Sequence, residues 1–542
     1  EEGAAAAGDK QRGGVWTRVT PSDAGNLNPI LWDNSASLDV VTMVYEIGLL
    51  GGSPETGEVS CEGALCESWT VSDDGMVYTF KLREGLTWSD GDPIDAADFV
   101  YTYEAIRAEG VASPRTYVWD GIESIEAPDA NTVVVTYNIL RCDAIQNVGL
   151  PLMPSHLFAA DYSDVMTNAL NEAPTVTSGP FVFQSWARDD NIIIARNEGY
   201  YQGAPYMDGM IYRIVPDAGA RLAQLLSGES DIATVQPNQL SAIEGNPNIT
   251  RYTWKDDGYT YIGLNQADPA NPQPGLDEDG NVIPQAPHPI LGDKNVRQAI
   301  AYALDYDTII NDIYFGQGYR MAANVLPAVE WAYNNDLAPY PFDTAKAISL
   351  LEEAGWVDGN GDGVREKDGK DLALNLITNA GNTTRGDLGA YVQDTLNKIG
   401  FNIDFQIIEF GTMLAQIDAQ TTDMFILAWT GLGSEPNDDA FWRASQDIPG
   451  SGFNNVSFYN ARVEELLTQG YSVPGCATED RAPFYKEKPG IKQYEVPYIF
   501  VSGLVGNTGD NSRWDGIDPQ PWAASAPVYW NTHEWSLTTV AE

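Results

Sequence analysis

The sequence predicts an α/β fold of more than one unit, on three observations. The chain has 542 residues, 43 % of them hydrophobic, which at ordinary domain size is about three or four units. Residues 211–215 read as a strand, Asp217 stands where it can cap a helix bearing Leu222, Leu225 and Leu226, Gly228 stops that helix, and SGESDIATV returns as a strand; this is a crossover of the α/β kind. Residues 372–407 make a second such unit. Leu372, Leu374 and Leu376 alternate, residues 388–399 are amphipathic at helical period with Gly400 after them, and residues 401–407 alternate again.

Composition narrows the partners. The formal charge of −47, from 77 acidic and 30 basic residues, excludes a nucleic-acid backbone or an anionic membrane, both of which need clustered Lys and Arg. It fits a heavily solvated surface, either of a secreted acidic protein or of one adapted to high salt, where screening relieves carboxylate repulsion. No apolar run approaches the roughly 18 residues of a membrane helix. Residues 1–14 open low-complexity and polar and are expected to be a flexible tether, with a lipid anchor in the precursor. Four cysteines suit two disulfides in an exported protein and allow three pairings. Cys61 and Cys66 flank a short Gly-Ala-Leu turn and are the favoured pair, which leaves Cys142 for Cys476. A zinc site has less support, since there is no CxxC and the three histidines have no cysteine nearby; free buried thiols are the other alternative.

Taken in order, residues 15–50 hold an Asn28-Pro29 step. Residues 67–71, 77–82 and 133–137 concentrate β-branched and aromatic residues between turn signals and read as strands. Between them residues 82–109, LREGLTWSDGDPIDAADFVYTYEAIRAE, join a strand end, a glycine turn and a helix. Asp95 can cap that helix, Asp98 adds a carboxylate to its first turn, Phe99, Val100, Tyr103 and Ile106 line one face, and Gly110 ends it. Arg83, Gly85, Trp88, Asp90, Gly91, Pro93, Ala97, Asp98 and Phe99 match, in order and spacing, a signature of the family 5 extracellular solute-binding proteins, the oligopeptide/dipeptide-type receptors of ABC importers. The chain resembles that family from about residue 15 to residue 535; TSGPFVFQSW at 177–186, YTYIGLN at 259–265 and VRQAIAYALD at 296–305 are further matches. For residues 15–50 the resemblance implies a strand, a turn at Asn28-Pro29 and a helix ending near Tyr45.

The Pro/Gly/Asp-rich residues 267–289 read as a surface insertion. Asp293 can cap a helix bearing Val296, Ile300 and Leu304, residues 343–354 form another, residues 423–429 a strand, residues 462–467 a helix, and residues 497–501 lead the chain back. The sequence departs from the family near Tyr485, where Lys488-Pro489-Gly490 is expected to interrupt a helix.

The resemblance implies a two-lobed α/β periplasmic-binding-protein fold of type II with an extra subdomain in the first lobe. Residues 15–50, 177–262 and 502–542 would form lobe I, residues 51–176 its subdomain and residues 263–501 lobe II, with crossings near Ile262 and Ile499. It implies capture of a peptide-like solute in the interlobe cleft by hinge closure, in a monomeric extracytoplasmic receptor that delivers to a membrane permease and needs no cofactor. An oligosaccharide receptor of the same fold is the alternative. A secreted paired-carboxylate hydrolase is weaker, because no nucleophile elbow, P-loop or zinc-protease motif is present.

The candidate binding residues are Trp429, Thr430, Gly431, Leu432, Glu435 and Asp438, in a loop leaving a strand end where α/β folds bind ligands. Peptide-binding relatives carry at the place of Leu432 an Asp that pairs with the peptide ammonium. Its loss implies either that Glu435 or Asp438 takes over or that the ligand has no ammonium to bury. Trp32, Asn34 and Tyr45 are further candidates, with core packing the favoured role for Tyr45. Asp358, Asn360, Asp362, Val364 and Glu366 are spaced like the opening of a calcium loop, but the twelfth place is Gly369 where a bidentate Glu belongs. Any calcium there would be structural.

Overall fold

The computed structural model describes residues 10–46, 48–53, 57–520 and 530–538. Residues 1–9 of the expected tether lie outside these. Its last part is laid against the body: Gln11 bridges to Leu537, and the Gly13 amide donates to the Tyr206 carbonyl at 2.8 Å.

One sheet runs through both lobes. In the first, Val15–Thr20 lies parallel to both Gly209–Ile214 and Ile232–Thr234, and the helix Ala218–Ser227 crosses between the latter two. Asp217 caps that helix by accepting from the Ala220 amide at 2.7 Å, and Gly228 ends it in the left-handed conformation at φ +78°. In the second lobe Ala373–Asn379 lies parallel to Asn402–Ile408 and to Met424–Trp429, with helix Thr383–Asn397 as the crossover. Both units follow the apolar periodicity.

The long antiparallel strands Ile249–Leu264 and Tyr498–Asn511 join the two halves of the sheet. Their pairing slips between Lys255 and Tyr259, so the ladder breaks at Asp257 and Gly258. A Cβ on Gly258 would stand 2.2 Å from the Trp429 carbonyl, so only glycine admits the neighbouring strand here. Ile262 pairs directly with Ile499, and both already lie inside the second core. The break falls about one turn of chain earlier than the expected crossing. Second-lobe strands are buried on both faces: Ile262, Leu264, Met424 and Ile426 pack one core, and the alternating Tyr259, Tyr261, Phe425 and Leu427 pack another.

A separate antiparallel sheet, ordered Cys66–Val71, Val77–Leu82, Thr132–Tyr137 and Ile122–Asp129, carries helix Ala96–Ile106. Its Phe80, Phe99 and Val133 belong to the same core as Trp16 and Met210, so this subdomain is fused to the first lobe. The signature stretch is its internal scaffold. Trp88 is buried and donates to Asp98 at 3.0 Å, Asp95 and Asp98 form a reciprocal capping box, and Arg83 ties down the Cys61 and Ala64 carbonyls. The helix ends at Ile106, a turn before Gly110.

The expected interruption at Lys488-Pro489-Gly490 does not occur. Helix Thr478–Glu495 runs through both Pro483 and Pro489. Each proline removes one intrahelical hydrogen bond, and that loss is offset by what the buried face holds. Arg481, Tyr485, Lys488, Pro489 and Lys492 are all buried, and the three cations reach acceptors outside the helix. Tyr485 lies so close to helix Ala461–Tyr471 that a Cβ on Gly470 would come within 2.8 Å of its ring.

Candidate functional site

The loop after Met424–Trp429 enters the cleft at the sheet break. Asp257, buried in the break, accepts from the Gly431 and Gly433 amides at 3.0 Å each through its two carboxylate oxygens, and its carbonyl accepts from the Leu432 amide at 3.2 Å. The loop therefore takes its shape from strand Ile249–Leu264 at its register break. Trp429 is half-buried, 4.4 Å from the Phe441 ring and parallel to Tyr261 at 6.0 Å, while Thr430 and Gly431 are exposed beside it. Leu432 is half-buried.

Glu435 and Asp438 are engaged from within. Arg481 holds Glu435, one of its nitrogens at 3.2 Å. Asp438 is buried between Lys488 and Lys492 and accepts from Asn324 at 2.7 Å. Burial alone would raise the Asp438 carboxyl, but the two lysines outweigh it and hold it down at about 2. Burial pulls Lys492 down to about 7 against the attraction of Asp438. These carboxylates fasten the loop to helix Thr478–Glu495.

On the first lobe, Trp32 is half-buried under the Arg115 guanidinium, 3.6 Å from its ring centre. Asn34 caps helix Ser35–Val44 by accepting from the Ser37 amide at 3.0 Å. Tyr45 is fully buried, edge-on to Trp88. Between the lobes the cleft brings together two carboxylates the sequence did not single out. Asp418, at the end of helix Phe410–Asp418, is pushed up to about 7 by burial and then by the charge of Asp33 on the facing lobe. Its only hydrogen-bond donor among the described side chains is Asn455, at 2.8 Å.

The far end of the loop meets the subdomain. Arg141 is buried, paired bidentately with Asp143, 3.4 Å from Asp439 of the second lobe, and stacked 3.7 Å over the Tyr471 ring. Asn437 donates to Asp143, Arg443 stands 3.5 Å from Asp120, and Ser434 donates to the Gly57 carbonyl at 3.1 Å. Burial and then the charge of Asp439 push Asp120 up to about 6. Both disulfides form as expected, Cys61 with Cys66 and Cys142 with Cys476. In the Asp358 loop the carboxylates bond backbone: Asp358 accepts from Gly361 and Gly363, Asp362 from Val364, and Glu366 from Gly359. Among the described residues no three His, Cys, Asp or Glu side chains form a metal-binding group, and no helix is long and apolar enough to cross a membrane.

Known proteins share this architecture. The oligopeptide-binding protein AppA of Bacillus subtilis is 28 % identical over 505 residues, covering 91 % of this chain and 87 % of its own. The heme-binding protein A of Haemophilus influenzae is 28 % identical over 495 residues, covering 87 % and 84 %. The solved structure of AppA with a nonapeptide superposes with a TM-score of 0.88 at 26 % identity, covering 98 % of this chain and all of that one. The family model described as bacterial extracellular solute-binding proteins, family 5 middle, matches residues 61–450, and the chain belongs to that family.

Proposed function

We propose that this protein is the extracytoplasmic receptor of an ABC importer, capturing a peptide-like solute between its lobes and presenting it to the permease. The observation that carries the reading is the clamp of residues 431–433 on Asp257. In this reading Trp429, paired with Tyr259 beside the sheet break, lies at the pivot, so contacts to a solute and closure of the lobes act on the same backbone. Solute contacts with both lobes favour the closed state by their differential free energy, and capture involves no covalent step. Support for a peptide comes from AppA, whose solved structure holds a nonapeptide. The receptor works as a monomer at the outer face of the membrane, with a lipid anchor in its precursor as part of the same proposal.

In this reading Trp429, Thr430, Gly431 and Leu432 meet the solute, with Trp32 across the cleft, while Glu435 and Asp438 position the loop. Asn34 and Tyr45 shape the facing helix. An oligosaccharide is the second reading, favoured by the flat Trp429 face and by the apolar Leu432. Titration calorimetry with nonapeptide and oligosaccharide panels separates the two. A peptide hit supports the proposal, and saturable binding of sugars alone overturns it in favour of the second reading. Trp429→Ala weakens the bound solute by about 1–3 kcal/mol as its stacked surface is lost.

A further inference from the structure

The Cys142–Cys476 bond joins opposite sides of the cleft. Cys142 follows strand Thr132–Tyr137, whose Val133, Val135 and Tyr137 lie in the first-lobe core, and Cys476 follows helix Ala461–Tyr471, whose Val463 and Leu467 lie in a second-lobe core. The two cysteines are 334 residues apart in sequence and 5.2 Å apart at their α-carbons. Beside the bond, the Cys142 amide donates to the Tyr471 carbonyl at 2.6 Å, and Arg141, Asp143, Asp439 and Arg443 knit the same seam. Neither cysteine is free, and both are partly exposed, so a reductant can reach the bond.

We infer that this disulfide is a covalent clasp that confines the hinge and leaves the cleft only one side on which to open. Two bodies joined at two separate places keep one rigid rotation, about the line through the joints. One joint here is the sheet break at Asp257 and Gly258; the other is Cys142–Cys476. The loop from Gly431 to Asp439 spans them, held to Asp257 at one end and meeting Arg141 and Asp143 at the other. Opening that parts the subdomain from helices Ala461–Tyr471 and Thr478–Glu495 would need the bond to break. The side free to part is held by weaker ties: Arg221 donates to the Gly381 carbonyl at 2.7 Å, and Thr384 donates to Gln236 at 3.4 Å. Solute then enters past Gly381 and leaves the clasp side shut.

The inference concerns the empty protein and holds whatever solute the cleft takes. Its test is small-angle scattering on protein stripped of solute in denaturant and refolded with its disulfides formed. The Cys142→Ser/Cys476→Ser variant should show a larger radius of gyration than the oxidised protein, with unchanged circular dichroism. To guard against a folding defect, the same comparison is made by reducing a Cys61→Ser/Cys66→Ser background. The reduced form should expand, and bridging its two thiols with a short bis-maleimide should restore compactness. If oxidised and clasp-free proteins have the same radius, compact or expanded, the bond does not confine the hinge and the inference falls.

Discussion

At the scale of single residues, the cleft is built by groups whose partners are far away in sequence. Asp257 is the clearest. A lone aspartate in a strand carries no local signal that its carboxylate will receive two amides from a loop some 170 residues later. Strand-end position and residue type are what make Trp429 a candidate, whereas the partners of Glu435 and Asp438 lie in a helix that no local signal ties to this loop. Asp257→Ala strands those amides, and the cost expected is about 1–3 kcal/mol in urea unfolding together with weaker solute binding. Equal stability and affinity would mean water serves the loop as well. Asp418 makes a pH-dependent prediction. Its folded value of about 7 stands above the 3.8 of a free carboxyl, so the fold favours the neutral form. That contribution is complete below about pH 4 and is lost as pH rises through about 7. Melting curves of Asp418→Asn and wild type should therefore converge near pH 4 and separate in favour of the variant near pH 8. A constant difference would show that Asp418 does not titrate in this range.

At the scale of elements, the capped helices and alternating strands follow the sequence closely because their signals are local: Asp95, Asp217, Asp293 and Asp343 each cap the helix expected after them. Helix Thr478–Glu495 is where local reasoning fails. Two interior prolines argue against it, and tertiary contacts override them through cations spaced along one face and buried against the loop. The Asp438 site decides how strongly. Removing one member of a buried charged set leaves the others uncompensated, so Asp438→Asn should cost about 3–5 kcal/mol in denaturant unfolding. Replacing the set together, as Asp438→Leu with Lys488→Met and Lys492→Met, should recover most of that loss. If the triple variant is no better than the single one, the charges do more than compensate one another. The depressed Asp438 carboxyl also sets an acid limit: its stabilisation is present above the ordinary 3.8 and is lost as pH falls toward about 2.

At the scale of the whole molecule, the two-lobed α/β class was legible from the family signature, and the two crossover units agree with it. The strand crossings near Ile262 and Ile499 were part of that expectation, whereas the covalent link across the cleft was legible only as a pairing of cysteines. That Cys142 and Cys476 lie on opposite sides of a cleft depends on long-range packing, which no spacing between four cysteines encodes. The two disulfides then differ in energetic weight. On the chain-entropy account a cross-link stabilises by restricting the unfolded chain, and the effect grows with the logarithm of the loop it closes. Closing a separation of 5 residues, as Cys61–Cys66 does, contributes about 2 kcal/mol on that account, and one of 334 residues about 6 kcal/mol. Cys142→Ser/Cys476→Ser should thus lose about 3–4 kcal/mol more than Cys61→Ser/Cys66→Ser in equilibrium unfolding. The closed seam around Arg141 offers a control, since its ion pairs remain when the sulfurs are gone. Equal losses from the two double variants would mean that residual structure already restricts the unfolded chain, or that the long loop's entropy is offset by native contacts the bond distorts. A loss confined to the Cys142 variant would place the molecule's covalent reinforcement across its moving parts and not within either lobe.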